Sequence, residues 1–443
     1  MILTLLLANQ RAGGSLEFNT VMDQYGPLEW IAGTSGSVPD NSSEWLDSFE
    51  GKPATEVELS EPHSAMGTLA GGVLVADKNA HAIRLIDRAG FIRTVAGTNT
   101  AGFNGDGPAV TRQLNGPQHA YPMPDGSFYI LDTGNQRIRR VDALGQLSTV
   151  IVESSGLSRG LWVKRDGSLI YYCTNNSLKR WNPSFGQNPG AVMASGFSDP
   201  GNIDVAEDGF VYLTDRGATS TDPTFSRVFR IAPSATPATY VPLVVAGVGG
   251  TADNGPGANG SPATQVGLSG VRGIAFHPAG GYFLATHKGG DVWYVDRDGI
   301  ITMVVQGNDR NVNVTTELPV ALPSTGSSVL SELRSVSVAL NGDLLIATND
   351  SGYILRALYQ GPVPAPPVLT LLPAPGGTVR LKWSQPEKSW FRVESTGQPT
   401  TGMWTVRRVG EATGYEESWT ETASMLAQPR QFYRIRQFRA WPN

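Results

Sequence analysis

A pattern of short apolar strands separated by glycine-containing turns repeats along residues 28–359. Each repeat has an apolar second strand that follows a turn signal such as Asp125-Gly126 or Asn341-Gly342, and a third strand in which Arg alternates with aliphatic residues. Such turns supply the positive φ angles of tight hairpins, and alternation at period two marks strands with one buried face. The pattern predicts six repeats, whose second strands are residues 72–76, 127–131, 168–172, 210–213, 282–285 and 343–347.

The sixth repeat lacks a fourth strand of its own. Residues 28–34 match the fourth strand of the first repeat, residues 92–98, in pattern and in their Ala-Gly-Thr ending. A ring of repeats that is completed by an N-terminal strand leaves few exposed sheet edges. We therefore expect an all-β fold, a six-bladed β-propeller closed by an N-terminal strand.

The glycine-rich segments 95–109 and 245–263, together with residues 132–139, resemble the blade-joining loop and core of NHL repeats. The resemblance extends over residues 28–359 and implies a six-bladed propeller. Some propellers of this kind are enzymes, among them zinc-binding amidating lyases. Their ligand motifs, and the acidic and Asn ligands of lactonase propellers, have no residue-by-residue match here.

Four segments make up the predicted domain organisation. Residues 1–27 form an N-terminal extension or degenerate signal segment, residues 28–360 the propeller, and residues 361–367 a stiff proline-rich linker. Residues 368–443 are predicted to form a small β-sandwich, which resembles the fibronectin type III-like modules of bacterial exported proteins.

The N-terminal apolar run over residues 1–8 is too short to span a membrane. It resembles the hydrophobic part of a signal peptide, with Ala12-Gly13-Gly14 where cleavage could occur, although a positive n-region is missing. A structural N-terminal strand is the alternative. We expect an extracytoplasmic or secreted protein.

Composition narrows the possible partners and chemistry. The 443 residues carry a net charge of −5 without a long basic run, which argues against nucleic acid as a partner. The single cysteine, Cys173, lies in an apolar run and is predicted to be a buried, inert thiol. No His-Glu-x-x-His pair is present, which favours binding over metal-dependent catalysis.

Alignment of the repeats places one residue of each at the entry to its first strand, where the central channel opens. These residues are His63, Gln118, Arg159, Gly201, Arg272 and Arg334, and the next position holds Ser64, His119, Gly160, Asn202, Gly273 and Ser335. Three arginines would surround one axis, and their planar forks suit carboxylate or phosphate. The alternative is structural, with each arginine paired to a loop Asp of a neighbouring blade.

The predicted ligand site at the channel mouth therefore contains seven residues: Arg159, Arg272, Arg334, His63, Gln118, His119 and Asn202. No cofactor is predicted. If a divalent metal binds, its ligands are expected among His63, His119 and His287. Asp77, Asp132 and Asp215, which follow second strands, are expected to cap neighbouring loops.

Three functions stay open at this point. The first is a non-catalytic scaffold that binds a protein, peptide or glycan, anionic or not, at the top face and channel mouth. The second is a metal-dependent lyase or hydrolase of the NHL propeller type. The third is a structural component of a cell-surface or virion assembly.

Overall fold

A computed structural model describes the chain as two compact units, one ending at Gly361 and one spanning Pro362–Trp441. The described residues are 14–34, 43–217, 225–249, 258–278, 280–307, 315–316, 320–321, 332–339, 341–349, 352–361, 369–374, 378–384, 390–396, 405–411, 416–420 and 432–438. The predicted linker, residues 361–367, lies outside them apart from Gly361.

The first unit is a six-bladed β-propeller. Each blade is an antiparallel sheet in which strands that follow one another in the chain lie side by side, apart from the outermost strand of the sixth. The first strand of every blade contacts the first strands of both neighbouring blades, and this ring closes between the sixth blade and the first. The top face is the face from which the first strands start.

The strands are listed from the axis outward. Blade 1 contains Pro62–Gly67, Val73–Asp77, Ala82–Ile86 and Ile92–Gly97; blade 2 Pro117–Pro122, Phe128–Asp132, Arg137–Val141 and Gln146–Val152; blade 3 Leu157–Val163, Ile170–Thr174, Ser177–Trp181 and Ala191–Ser195. Blade 4 contains Pro200–Val205, Val211–Asp215, Arg227–Ile231 and Leu243–Ala246; blade 5 Val271–Phe276, Tyr282–Thr286, Val292–Val295 and Ile300–Gln306; blade 6 Leu333–Val338, Leu344–Thr348, Ile354–Tyr359 and Tyr25–Ala32.

Blade 6 combines strands from distant parts of the chain. Tyr25–Ala32 pairs antiparallel with Ile354–Tyr359, and Leu28 lies opposite Ala357. The helix Leu16–Met22, which precedes this strand, begins at Ser15, whose hydroxyl accepts a hydrogen bond from the Phe18 N–H. Phe18, Val21 and Met22 are buried in the core between blades 5 and 6, so this helix packs against the propeller. No element had been assigned to this part of the predicted N-terminal extension.

Apolar side chains of neighbouring blades form the core. Leu131 and Ile138 of blade 2, for example, pack with Leu161 and Ile170 of blade 3. Cys173 is a fully buried free thiol on blade 3, and burial raises its pKa strongly. Among the described residues, no helix is long and apolar enough to cross a membrane.

Short elements cover the outer edges of several blades. Gly107–Pro108 pairs with the outermost strand of blade 2 and Ser261–Pro262 with that of blade 5, and each is followed by a 3₁₀ turn, Ala109–Thr111 or Ala263–Gln265. Thr315–Thr316 pairs with the other end of the same blade 5 strand, at Val305 and Gln306, and Val320–Ala321 pairs with Tyr25–Ala32. The remaining 3₁₀ turns are Asp47–Phe49, Ala54–Glu56, Thr133–Asn135 and Pro183–Phe185.

The second unit contains two three-stranded antiparallel sheets. One has the order Leu369–Ala374, Thr378–Ser384, Glu416–Thr420, and the other Thr405–Glu411, Trp390–Thr396, Phe432–Phe438. Leu381 of the first sheet and Val393 of the second are fully buried. The fibronectin type III-like character stays a prediction.

Candidate functional site: the channel mouth

Every blade has an irregularity at the start of its first strand. In blade 1 the register with the second strand shifts between Pro62 and Ser64, so His63 stands outside the regular ladder. Equivalent shifts occur in the other five blades. Such bulges redirect side chains and are common next to functional sites. The residues at these bulges include the aligned set predicted from the sequence: His63, Gln118, Arg159, Gly201, Arg272 and Arg334.

In five blades, the residue before the first strand has a left-handed backbone conformation with positive φ. Gly116, Gly156 and Gly270 have φ between 55° and 76°, and the same left-handed region is occupied by Glu61 at 55° and Glu332 at 46°. A side chain in this region costs about 1–2 kcal/mol, which glycine avoids. Glu61 and Glu332 therefore hold carboxylates at the mouth at a cost in backbone strain. Asp199 takes the equivalent place in blade 4.

Two glycines allow the first strands to approach one another near the axis. A Cβ on Gly201 would lie 2.7 Å from the carbonyl oxygen of Arg272, and one on Gly160 would lie 2.9 Å from that of Gly201. A larger residue at either position would push neighbouring blades apart. The aligned positions that carry no side chain are therefore explained by close packing of the ring.

Three arginines from three blades converge on the carboxylate of Asp199. Arg159 Nη1 of blade 3 lies 2.5 Å from Oδ1, Arg216 Nε of blade 4 lies 2.6 Å from Oδ2, and Arg272 Nη2 of blade 5 lies 3.6 Å from Oδ2. We call these four residues the Asp199 cluster. The structural alternative for Arg159 and Arg272, pairing with an Asp of a neighbouring blade, is thus observed, but one carboxylate serves three cations.

The carboxylate of Asp215 fixes the backbone that carries Asp199. It accepts hydrogen bonds from the N–H groups of Ser198, Asp199 and Gly217, at 2.9–3.0 Å. Asp77 and Asp132 accept equivalent bonds from Ser60 and Asn115. These are the loop-capping roles that the sequence predicted.

Arg272 is the most deeply buried member of the Asp199 cluster, with 3% of its side chain exposed. Its Nε and Nη1 atoms have no hydrogen-bond acceptor among the described residues. Burial, followed by the positive charges of Arg159 and Arg334, lowers its pKa, and Asp199 only partly opposes this. A buried cation whose donors lack acceptors is costly, because neither water nor a full counter-charge replaces its hydration.

The same charges act on Asp199 and on two histidines. Burial alone would raise the pKa of Asp199, but Arg159, Arg272 and Arg216 together hold it below its usual value. Burial and then nearby arginines lower the pKa of His63 and of His287. Both imidazoles are therefore neutral at pH 7, and the positive charge at the mouth comes from guanidinium groups.

Arg334 lies on the blade 6 side of the mouth. Its Nη2 is 3.3 Å from Glu332 Oε2, and the same oxygen is 3.0 Å from His287 Nε2 without the alignment of a hydrogen bond. Arg334 lowers the pKa of His63, Arg272 and His287, so these residues share one electrostatic environment. The structure thus brings together four predicted site residues, His63, Arg159, Arg272 and Arg334.

The other three predicted residues form no side-chain hydrogen bond or ion pair with the arginine side chains within the described ranges. His119 is buried and stacks on Tyr121, and burial lowers its pKa to about 4. Gln118 is half-buried and Asn202 is buried. Within the described ranges, no side-chain hydrogen bond joins Gln118 or Asn202 to the Asp199 cluster.

No group of three or more His, Cys, Asp or Glu residues in the described part of the chain is arranged to hold a metal ion. His63 and His287 lie in the field of several arginines, which opposes a cation. The metal set considered from the sequence, His63, His119 and His287, therefore has no support in the geometry.

Sequence reasoning missed Asp199, Arg216 and Glu332. Asp199 and Glu332 each stand two residues before an aligned mouth position, as Glu61 does, and this acidic spacing was a usable signal. Arg216 directly follows the second strand of blade 4, where the loop returns to the top face. No local pattern distinguished it from an exposed loop cation.

Comparison with known proteins supports the fold and goes no further. No protein-family model and no curated protein sequence matches the chain. An auxiliary nutrient binding protein from Bacteroides thetaiotaomicron VPI-5482 is 13% identical, over 75% of this chain and 76% of that chain, with a TM-score of 0.52. One from Bacteroides ovatus ATCC 8483 is 13% identical over 75% and 77%, also at 0.52. A streptogramin B lyase is 12% identical over 75% and 97%, at 0.44.

Proposed function

We propose that the propeller is a non-catalytic binding scaffold that recognises an acidic peptide, protein or glycan at the top-face mouth of its channel. One observation carries the proposal: Arg272 is buried at the mouth with unmatched donors and shares its nearest carboxylate with two further arginines. A concave site with excess positive charge on an otherwise acidic protein attracts anions.

Two further points support binding over catalysis. The mouth histidines are neutral and their surroundings repel cations, which gives a metal-dependent lyase or hydrolase no preformed centre in the described residues. Two structural neighbours are named as nutrient-binding proteins, a role that fits this proposal. We also propose that the blades are of the NHL type, on the strength of the glycine-rich loops 95–109 and 245–263.

The test replaces Arg159 and Arg272 together by Ala in the full-length chain. The probes are an oligogalacturonate and a heptaglutamate peptide, with titration calorimetry and thermal unfolding as the measurements. We expect the wild type to bind at least one probe and the double variant to lose at least about tenfold in affinity, because two charge-assisted donors are removed. A second double variant, Arg159→Gln with Arg272→Met, keeps most of the side-chain volume that the Ala variant removes. It therefore tests binding without leaving a cavity in the ring.

Two results contradict the proposal. One is that wild-type protein binds neither probe at low ionic strength. The other is that binding survives in both double variants while melting falls, which would assign the two arginines to stability alone.

A further inference from the structure

The charge balance of the Asp199 cluster is the starting point. Arg159, Arg216 and Arg272 place three guanidinium groups around one carboxylate. Two other carboxylates at the mouth have cations of their own, since Glu332 lies beside Arg334 and Lys78 donates to Glu61 at 2.9 Å. The four side chains of the Asp199 cluster therefore carry a net charge of +2, and within the described residues Asp199 is the one carboxylate that forms an ion pair with these arginines.

Among the described residues, many N–H donors of the cluster have no acceptor. A guanidinium carries five N–H donors. Arg159 donates one side-chain hydrogen bond, from Nη1, and Arg216 donates one, from Nε, both to Asp199. The side chains of Arg159 and Arg216 are 22% and 26% exposed, so part of each guanidinium group is accessible at the mouth, whereas Arg272 is 3% exposed.

The size of the site follows from the same contacts. All three guanidinium groups lie within 3.6 Å of the oxygens of Asp199, so they are close enough together for one small anion that approaches from the mouth to meet more than one of them. A compact anion with several acceptor oxygens can engage two exposed forks at once, as phosphate groups do in arginine clusters.

We propose that Arg159, Arg216 and Arg272 form a subsite for a compact doubly charged oxyanion, a phosphate monoester or an inorganic dianion such as sulfate. This inference rests on the proposed function and narrows it from acidic ligands in general to one chemical group. Two negative charges neutralise the net charge of the cluster, whereas a single negative charge leaves half of it.

The experiment uses two probes that share a core and differ in charge, methyl phosphate and dimethyl phosphate, with sulfate as a third. At pH 7.5 methyl phosphate is mostly dianionic, because its second pKa is about 6, and dimethyl phosphate is a monoanion. Titration calorimetry on the full chain at constant ionic strength should show methyl phosphate binding at least about tenfold more tightly than dimethyl phosphate. The sulfate arm shows whether an inorganic dianion is bound as well as an ester.

Arg216→Gln is the test variant, because this side chain is partly exposed and its loss leaves the core intact. Arg230→Gln is the matched control: Arg230 is on the same blade, 28% exposed, and pairs with one carboxylate, Asp208, at 2.8 Å. We expect Arg216→Gln to weaken methyl phosphate binding about tenfold and Arg230→Gln to leave it unchanged.

The results distinguish failure of the dianion subsite from failure of the proposed binding function. Equal affinity for the two phosphates, or equal effects of the two Gln variants, overturns the dianion subsite. If oligogalacturonate or heptaglutamate still binds through Arg159 and Arg272 in that case, the proposed function stands. If no anion of any kind binds, both fall.

Discussion

Two buried arginines of this propeller show how the same residue type differs when its charge is matched and when it is not. Arg84 of blade 1 is fully buried: Nε bonds Asp77 at 3.1 Å, Nη1 bonds Thr94, Nη2 bonds Asn99 at 2.8 Å, and the guanidinium lies 3.6 Å from the Trp45 ring. Arg272 of blade 5 is nearly as buried, yet its closest carboxylate is 3.6 Å away.

The difference separates a framework residue from a candidate binding residue. In Arg84 every nitrogen has a protein acceptor, and the aromatic face adds a cation–π contact. In Arg272 two nitrogens have no acceptor in the described part of the structure, and further arginines repel it. Burial alone therefore does not make Arg272 a candidate binding residue; what distinguishes it is that it shares its nearest carboxylate with two further arginines.

The largest expected effect on stability comes from replacing Arg84, the arginine whose charge is matched. Arg84→Met should destabilise the protein by about 3–5 kcal/mol, since it leaves Asp77 buried without its counter-ion. Urea unfolding of the full chain measures the change. The double variant Arg84→Met with Asp77→Asn removes the stranded charge while keeping an acceptor for the Ser60 N–H, and should recover part of the loss. An unchanged midpoint for Arg84→Met would show that the matched pair contributes little.

How far the sequence predicts these features depends on whether the interaction is local. The hairpin signals are local, and Gly126, Gly167, Gly209 and Gly342 all adopt the positive φ that their turns require. These turns and the alternating strands were sufficient to predict six blades. The helix Leu16–Met22 was missed, although Ser15 as cap and buried residues at 18, 21 and 22 were a readable signal, because the segment was assigned to a signal or extension.

The site was predicted only in part, because its partners are distant in the chain. Pseudo-symmetry predicted that Arg159, Arg272, Arg334 and His63 lie at one mouth, and in the structure the three arginines act electrostatically on His63; that these residues bind a ligand stays a prediction. Arg159 and Asp199 are 40 residues apart, and which carboxylate lies between which arginines depends on how neighbouring blades pack. That information is tertiary, and no single repeat contains it.

An intermediate effect is expected from pH, because the mouth contains imidazoles held neutral. The pKa of His119 in the folded protein is about 4, below the unfolded value of about 6.5, so the unfolded chain binds its proton first on acidification. Stability should be complete above pH 6.5 and fall as the pH drops toward 4, with about 3 kcal/mol lost through His119. Urea unfolding at pH 7.5 and 4.5 measures the slope.

His119→Phe isolates the contribution of this imidazole. The ring of His119 is buried and stacks on Tyr121, so Phe preserves the packing. The variant should lose less stability than wild type between the two pH values. If the two proteins lose stability equally, the low pKa of His119 is wrong.

The smallest effect on stability is expected at the unmatched arginine, and it decides between the structural and the binding interpretation of the mouth. Arg272→Met removes a buried charge whose donors are partly unsatisfied and relieves its repulsion with Arg159 and Arg334, while Met fills much of the same volume. We expect the free energy of unfolding at pH 7.5 to change by no more than about 1 kcal/mol, in either direction. Urea unfolding beside Arg84→Met provides the comparison on one scale. A loss as large as that of Arg84→Met would mean that Arg272 stabilises the ring as Arg84 does, and the unmatched charge would no longer indicate a ligand.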